Sequence, residues 1–117
     1  MDIVYLKSEF LSVKGFFFEL YSGNARSNAN KIFNADDKKL DILIKALYLI
    51  ANGHIHMRKE DYAVLKKSKR LNFMKFHFDR KDSYVRLLTG SREEKIKTLR
   101  KMSALYPSLL YTFFNLI

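Results

Sequence analysis

A histidine pair, two carboxylate pairs and a run of cations are the side chains in this sequence whose types and spacing could do chemistry. His54-x-His56 could hold a metal from a turn. Structural zinc, however, takes four ligands, and none of comparable quality stands nearby. These imidazoles therefore read as turn histidines, and no metal is expected. Asp36-Asp37, and Asp79 with Asp82, are the kind of carboxylates a nuclease would use to bind catalytic cations. Yet Asp36-Asp37 precedes a long apolar-periodic stretch, where carboxylates open a helix. Asp79 and Asp82 flank Arg80 and Lys81 and can pair with them. There is no phosphate-cradling P-loop, no Gly-rich dinucleotide turn and no G-x-S-x-G elbow. The absence of cysteine removes thiol catalysis, Cys-based zinc and disulfides together. The expectation is a non-enzyme with no catalytic residue, no cofactor and no small-molecule substrate.

The cations are the stronger signal. Arg58, Lys59, Lys66, Lys67, Lys69, Arg70, Lys75, Arg80, Lys81 and Arg86 crowd the middle of a chain whose net charge is +10. Residues 1–53 carry seven Lys/Arg against six Asp/Glu, whereas residues 54–117 carry fifteen against six. A near-neutral half joined to a strongly basic half implies that one half folds or docks while the other meets an anion. Cations at this density neutralise phosphates and release counterions, which gives affinity without reading bases. The ten residues named are accordingly the candidate nucleic-acid contacts, with DNA ahead of RNA. Phe73, Phe76 and His77 could stack on bases if exposed, although core positions suit the aromatics better. The alternative reading makes the charge a solvated face and places function in the aromatic ends. In that case Phe16, Phe17 and Phe18, with Phe113 and Phe114, dock to partner proteins or to another copy of the chain.

These side chains need elements to hold them. With one Pro and four Gly in 117 residues, long helices are the default. Ile3, Leu6, Phe10, Val13, Phe17 and Leu20 recur at helical spacing behind Asp2, and Gly23 is a natural left-handed cap. Asn24 to Asn34 fits a short helix begun by Asn24 or Ser27. Leu40, Leu43, Ile44, Leu47, Ile50 and Ala51 form an unbroken stripe ended by Asn52-Gly53, and this helix should centre the core. A basic helix follows from about Arg58, with Tyr62 and Leu65 facing inward. Residues 71–78 mix helical and strand spacing, and helix is preferred because its neighbours are helical. Asp82 or Ser83 starts another helix, closed by Gly90. Ser91-Arg92-Glu93-Glu94 is a capping box for a helix carrying Ile96, Leu99, Met102 and Tyr106, with Pro107 as its break. The uncharged segment 108–117 is either a last core helix or an interface helix.

The expected fold is all-α: a single domain over residues 1–117, built as a compact bundle of five to seven helices. Its halves are 1–53, near neutral, and 54–117, basic with an apolar end. No apolar run reaches the roughly 20 residues a membrane span needs, and no basic stretch precedes an apolar one at the start. A membrane partner is therefore not expected, and an intracellular setting is.

Residues 16–88 also resemble the small basic proteins of Maverick/Polinton-type elements and related double-stranded DNA viruses. The likeness lies in the helix Leu40 to Ala51, the turn Ala51-Asn52-Gly53-His54-Ile55 leading to Met57, the run Leu65-Lys66-Lys67-Ser68-Lys69-Arg70-Leu71, and Ser83 to Leu88 with its paired leucines. That family shows Gly-Asn-(Ile/Val)-Pro-Leu at the turn and Gly-Gly-Phe after its last basic helix. Here His56 stands at the Pro position and no Gly-Gly-Phe is present. The resemblance implies a virion-associated or DNA-condensing role, in a host nucleus or a particle.

Overall fold

Helix α4, Asp37–Ala51, is the axis around which the chain winds. Asp36 caps it in extended conformation, its side chain accepting from the Lys39 amide at 2.8 Å. This satisfies one of the amides that a helix start leaves without an intrahelical partner. Leu40, Leu43, Ile44 and Leu47 have no solvent exposure, and Ile42, Ala46, Leu49 and Ile50 are also buried. Apolar side chains thus leave α4 in nearly every direction, so neighbours must cover it from several sides.

The computed structural model describes residues 3–52, 58–67, 74, 78 and 80–111. Among them the chain is an all-α bundle: α1 Ile3–Ser12, α2 Lys14–Ser22, α3 Ala25–Phe33, α4, α5 Lys59–Lys66, α6 Lys81–Leu88, α7 Arg92–Arg100, a 3₁₀ turn Ser103–Leu105, and α8 Tyr106–Leu109. The Cα radius of gyration is 12.9 Å, the size expected of one compact domain of this length.

The helices are shorter and more numerous than hydrophobic periodicity predicts, and two breaks explain this. The long first helix divides at Val13, which leaves helical geometry at φ −120°, ψ 19°. Ser12 donates its hydroxyl to the Glu9 carbonyl, and Gly15, a poor helix former, follows at once. Val13 is buried with Phe10, Phe16, Phe17 and Leu20, so the bend folds one apolar face around a single patch of core. The second break follows Arg100. Pro107 does not end a helix there; it occupies the first turn of α8, where its missing N–H costs nothing.

The link between α2 and α3 also departs from expectation. Gly23 is extended, at φ −90° and ψ −177°, and is not left-handed. Its need for glycine is steric: a Cβ there would lie 2.3 Å from Asn28 Oδ1, 2.7 Å from Ser27 Oγ and 2.9 Å from the Glu19 carbonyl. Asn24 and Ser27 close a reciprocal capping box just beyond it. Asn28 is wholly buried, and its amide donates to the Leu20 carbonyl at 2.9 Å and to the Ser103 carbonyl at 3.0 Å. One amide thereby joins α2, α3 and the 3₁₀ turn.

A polar seam runs down one side of α4. Asp37 meets Arg92 at 2.8 Å, Asp41 meets Lys95 at 2.8 Å, and Lys45 meets Glu9 at 3.1 Å. Tyr48 stacks on Tyr84 with centroids 4.1 Å apart, and Asn52 donates to the Phe78 carbonyl at 2.9 Å. Steps of three and four residues put all five on one helical stripe. The central helix therefore grips α7, α1, α6 and the backbone at Phe78 through its polar edge as well as its apolar faces.

Candidate nucleic-acid interface

The ten cations singled out in the sequence have different fates. Lys69, Arg70 and Lys75 lie outside the described residues, as do Phe73, Phe76 and His77, the histidines at 54 and 56, and Phe113 and Phe114. Arg58 is committed to the fold. Its guanidinium pairs with both oxygens of Asp61, at 2.8 and 3.1 Å, and its centre lies 3.3 Å from the Tyr111 ring centroid. The hydrogen bond to Asp61 raises its pKa further. Arg58 thus ties the start of α5 to the chain beyond α8, and its charge is answered locally. Its side chain nonetheless stays 44% exposed.

Lys59, Lys66, Lys67, Arg80, Lys81 and Arg86 are exposed, and none makes an ion pair with a described residue. On α5, Asp61 and Leu65 point inward. Tyr62, expected inside, is instead 41% exposed, with the Lys66 ammonium 5.4 Å from its ring centroid. Asp82 does not pair with Lys81 or Arg80 in the way the sequence suggested. Helix α5 packs on α8, whereas α6 packs on α4 and α7. The described cations of the set therefore occupy two separate elements.

The aromatic ends divide in the same way. Phe16 and Phe17 are core residues, the latter with no exposure, and their rings pack at 6.2 Å. Neither offers itself to a partner, because both are buried in the core cluster. Phe18 alone of the three faces outward.

Charge and an exposed ring do meet between α3 and α7. A groove of about 860 Å³ is lined there by Ala29, Phe33 and Ile96, with Arg92, Glu93, Lys97 and Arg100 of α7 and Lys101 just beyond it. Helix α7 begins at Ser91, whose side chain accepts from the Glu94 amide at 3.2 Å; this is the serine half of the expected capping box. Lys95, Thr98 and Leu99 are buried against the core, so Glu93, Lys97 and Arg100 are carried outward. On α3, Asn28 and Ile32 turn inward, which leaves the neighbouring Phe33 56% exposed. Arg92 closes one end of the groove. It donates to Asp37 at 2.8 Å and to the Ala35 carbonyl at 2.6 Å, beside the last turn of α3, where a cation suits the helix dipole.

What remains facing the groove is basic. Lys97 and Arg100 make no ion pair with any described residue; Lys101 adjoins them, and Glu93 is the acid of the lining. The Arg100 guanidinium stands over Phe33, 5.7 Å from the ring centroid, much farther than Arg58 from Tyr111. Sequence reasoning missed this site because it weighed cation density, which peaks between residues 58 and 86. The available signal was Lys97-x-x-Arg100-Lys101, one turn of a well-capped helix, together with Phe33 directly after the inward Ile32. Neither pattern reveals which two helices will lie side by side.

Among the described residues no three His, Asp or Glu side chains gather as metal ligands, and no helix is long and apolar enough to cross a membrane. Comparison with family models, with curated proteins and with solved structures finds no match to this chain.

Proposed function

We propose that this protein binds nucleic acid through its basic half without reading sequence. One observation carries the reading: Lys59, Lys66, Lys67, Arg80, Lys81, Arg86, Lys97 and Arg100 are all exposed and held by no described carboxylate. Surface cations left in this state keep their field and their counterions, and a polyphosphate releases those counterions on binding. Among the described residues, the ion pairs on α4 and α5 serve internal joints and leave these eight cations aside. The likeness of residues 16–88 to basic proteins of DNA viruses is in keeping with DNA condensation or assembly of a particle as the setting.

Generic oligonucleotides titrated across a range of salt concentrations test the reading. Log affinity should fall linearly with log salt, with little difference between unrelated sequences. Replacing Lys97, Arg100 and Lys101 together by alanine should flatten that slope by roughly 2 on single strands if all three meet phosphate. Absence of binding by the wild-type chain at low salt would sink the proposal.

A docking role has one observation in its favour. Phe18, Tyr21 and Tyr111 form a chain of rings 6.2 and 5.9 Å apart, continued by Arg58, and it begins at an exposed phenylalanine. Aromatic and arginine residues in this arrangement are what protein interfaces concentrate. If the surface serves self-association, light scattering will report a dimer that Phe18→Asp returns to monomer.

A further inference from the structure

We infer that the groove between α3 and α7 is a seat for an unpaired nucleobase, so that the protein prefers single-stranded nucleic acid to duplex. The inference rests on the nucleic-acid reading above and adds the form of nucleic acid that this site takes. Simple charge attraction needs only cations and gains nothing from an exposed ring. The groove supplies both. Phe33 spends more than half its surface in water at the cost of apolar burial, although the residue before it, Ile32, is fully inside. Ala29 and Ile96 line the groove together with the ring, and so do the cations Lys97 and Arg100.

That combination matches a nucleotide: a flat apolar face flanked by negative phosphates. A base laid on Phe33 would cover the ring, with phosphates on either side of it within reach of the α7 cations. Arg100 strengthens the match. At 3.3 Å, Arg58 and Tyr111 form a closed stack, whereas at 5.7 Å Arg100 overhangs Phe33 without covering it in the same way. The guanidinium is thus placed to meet the edge of a base resting on the ring, or to swing to its phosphate. In duplex DNA both faces of each base are already stacked, so only a single strand can offer one. Stacking of this kind tolerates every base, which agrees with binding that ignores sequence. An acidic peptide bearing an aromatic side chain is the rival occupant; it lacks the regular alternation of ring and charge and the broad face of a base.

Fluorescence anisotropy on the full chain tests the inference with three labelled probes of equal length: oligo-thymidine, an abasic strand with the same phosphates, and a duplex. Wild type should bind oligo-thymidine more tightly than the abasic strand at matched salt. Phe33→Ala should weaken oligo-thymidine binding by about ten-fold while leaving the abasic strand unchanged, since one base stack carries an effect of that order. Phe33→Tyr should retain wild-type affinity. Circular dichroism should show both variants folded, because the ring lies outside the core. Equal binding of base-bearing and abasic strands, or indifference to Phe33→Ala, would overturn the stacking seat and leave the electrostatic reading standing. Failure of wild type to bind any of the three would remove that reading as well. A glutamate-rich peptide containing tyrosine that displaces oligo-thymidine at equal concentration would overturn the choice of ligand.

Discussion

Tyr106 has no solvent exposure, and its hydroxyl donates to the Leu99 carbonyl at 2.8 Å. Burial away from water raises its pKa well above the ordinary phenol value, and burial also raises that of Tyr84, with the stacked Tyr48 adding to the effect. The folded chain therefore holds these protons to higher pH than the unfolded chain does. Below pH of about 10 their contribution to stability is fully present; as pH rises past that value the unfolded state ionises first, and the contribution is lost. Alkaline titration of the melting temperature should show this decline, and Tyr106→Phe should make it shallower. At neutral pH the same variant should cost only about 1 kcal/mol, because the Leu99 carbonyl still accepts from the backbone amide of Met102. None of this was legible in the sequence. Tyr106 was placed on a helix with Ile96 and Leu99, but a tyrosine at an apolar position does not say where its hydroxyl will go.

Two glycines separate what local pattern decides from what packing decides. Gly15 lies in α2 with no atom within 4 Å of the place a Cβ would take. Alanine there should raise stability by roughly 0.5 kcal/mol through helix propensity and the unfolded chain's entropy. Gly23→Ala should destabilise by more than that gain, since the added methyl would press on Asn28, Ser27 and the Glu19 carbonyl together. Thermal melts of the two variants should move in opposite directions. The sequence marked Gly23 as the end of a helix but assigned it a left-handed backbone, because Asn28, the reason for glycine, sits five residues away. Local signals otherwise placed the elements well: Asp36 and Ser91 each cap the helix they were expected to begin, and of the two starts offered for α3, Asn24 is the cap and Ser27 its partner at the third position. They failed where an apolar stripe continued through a bend, at Val13 and after Arg100, since periodicity records which residues are buried and is blind to a change in axis.

At the scale of the molecule, the excess of positive charge was plain in the sequence and its geography was not. The described cations of residues 58–86 belong to two helices that pack on different neighbours, while the groove draws its charge from α7 and its ring from α3, about sixty residues earlier. Juxtaposition of that kind is a product of tertiary packing. The seam on α4 has a further consequence. Asp37, Asp41, Lys45, Tyr48 and Asn52 engage partners distributed from Glu9 to Lys95. A slip of α4 by one residue would turn the helix by roughly 100° and break these attachments together. No partial detachment of α4 is then cheap, and its interior amides should exchange with deuterium only when the entire chain opens, at the rate set by global unfolding, whereas those of α1 and α5 exchange sooner. The helix behaves as a keystone: the arch around it stands or falls in one event.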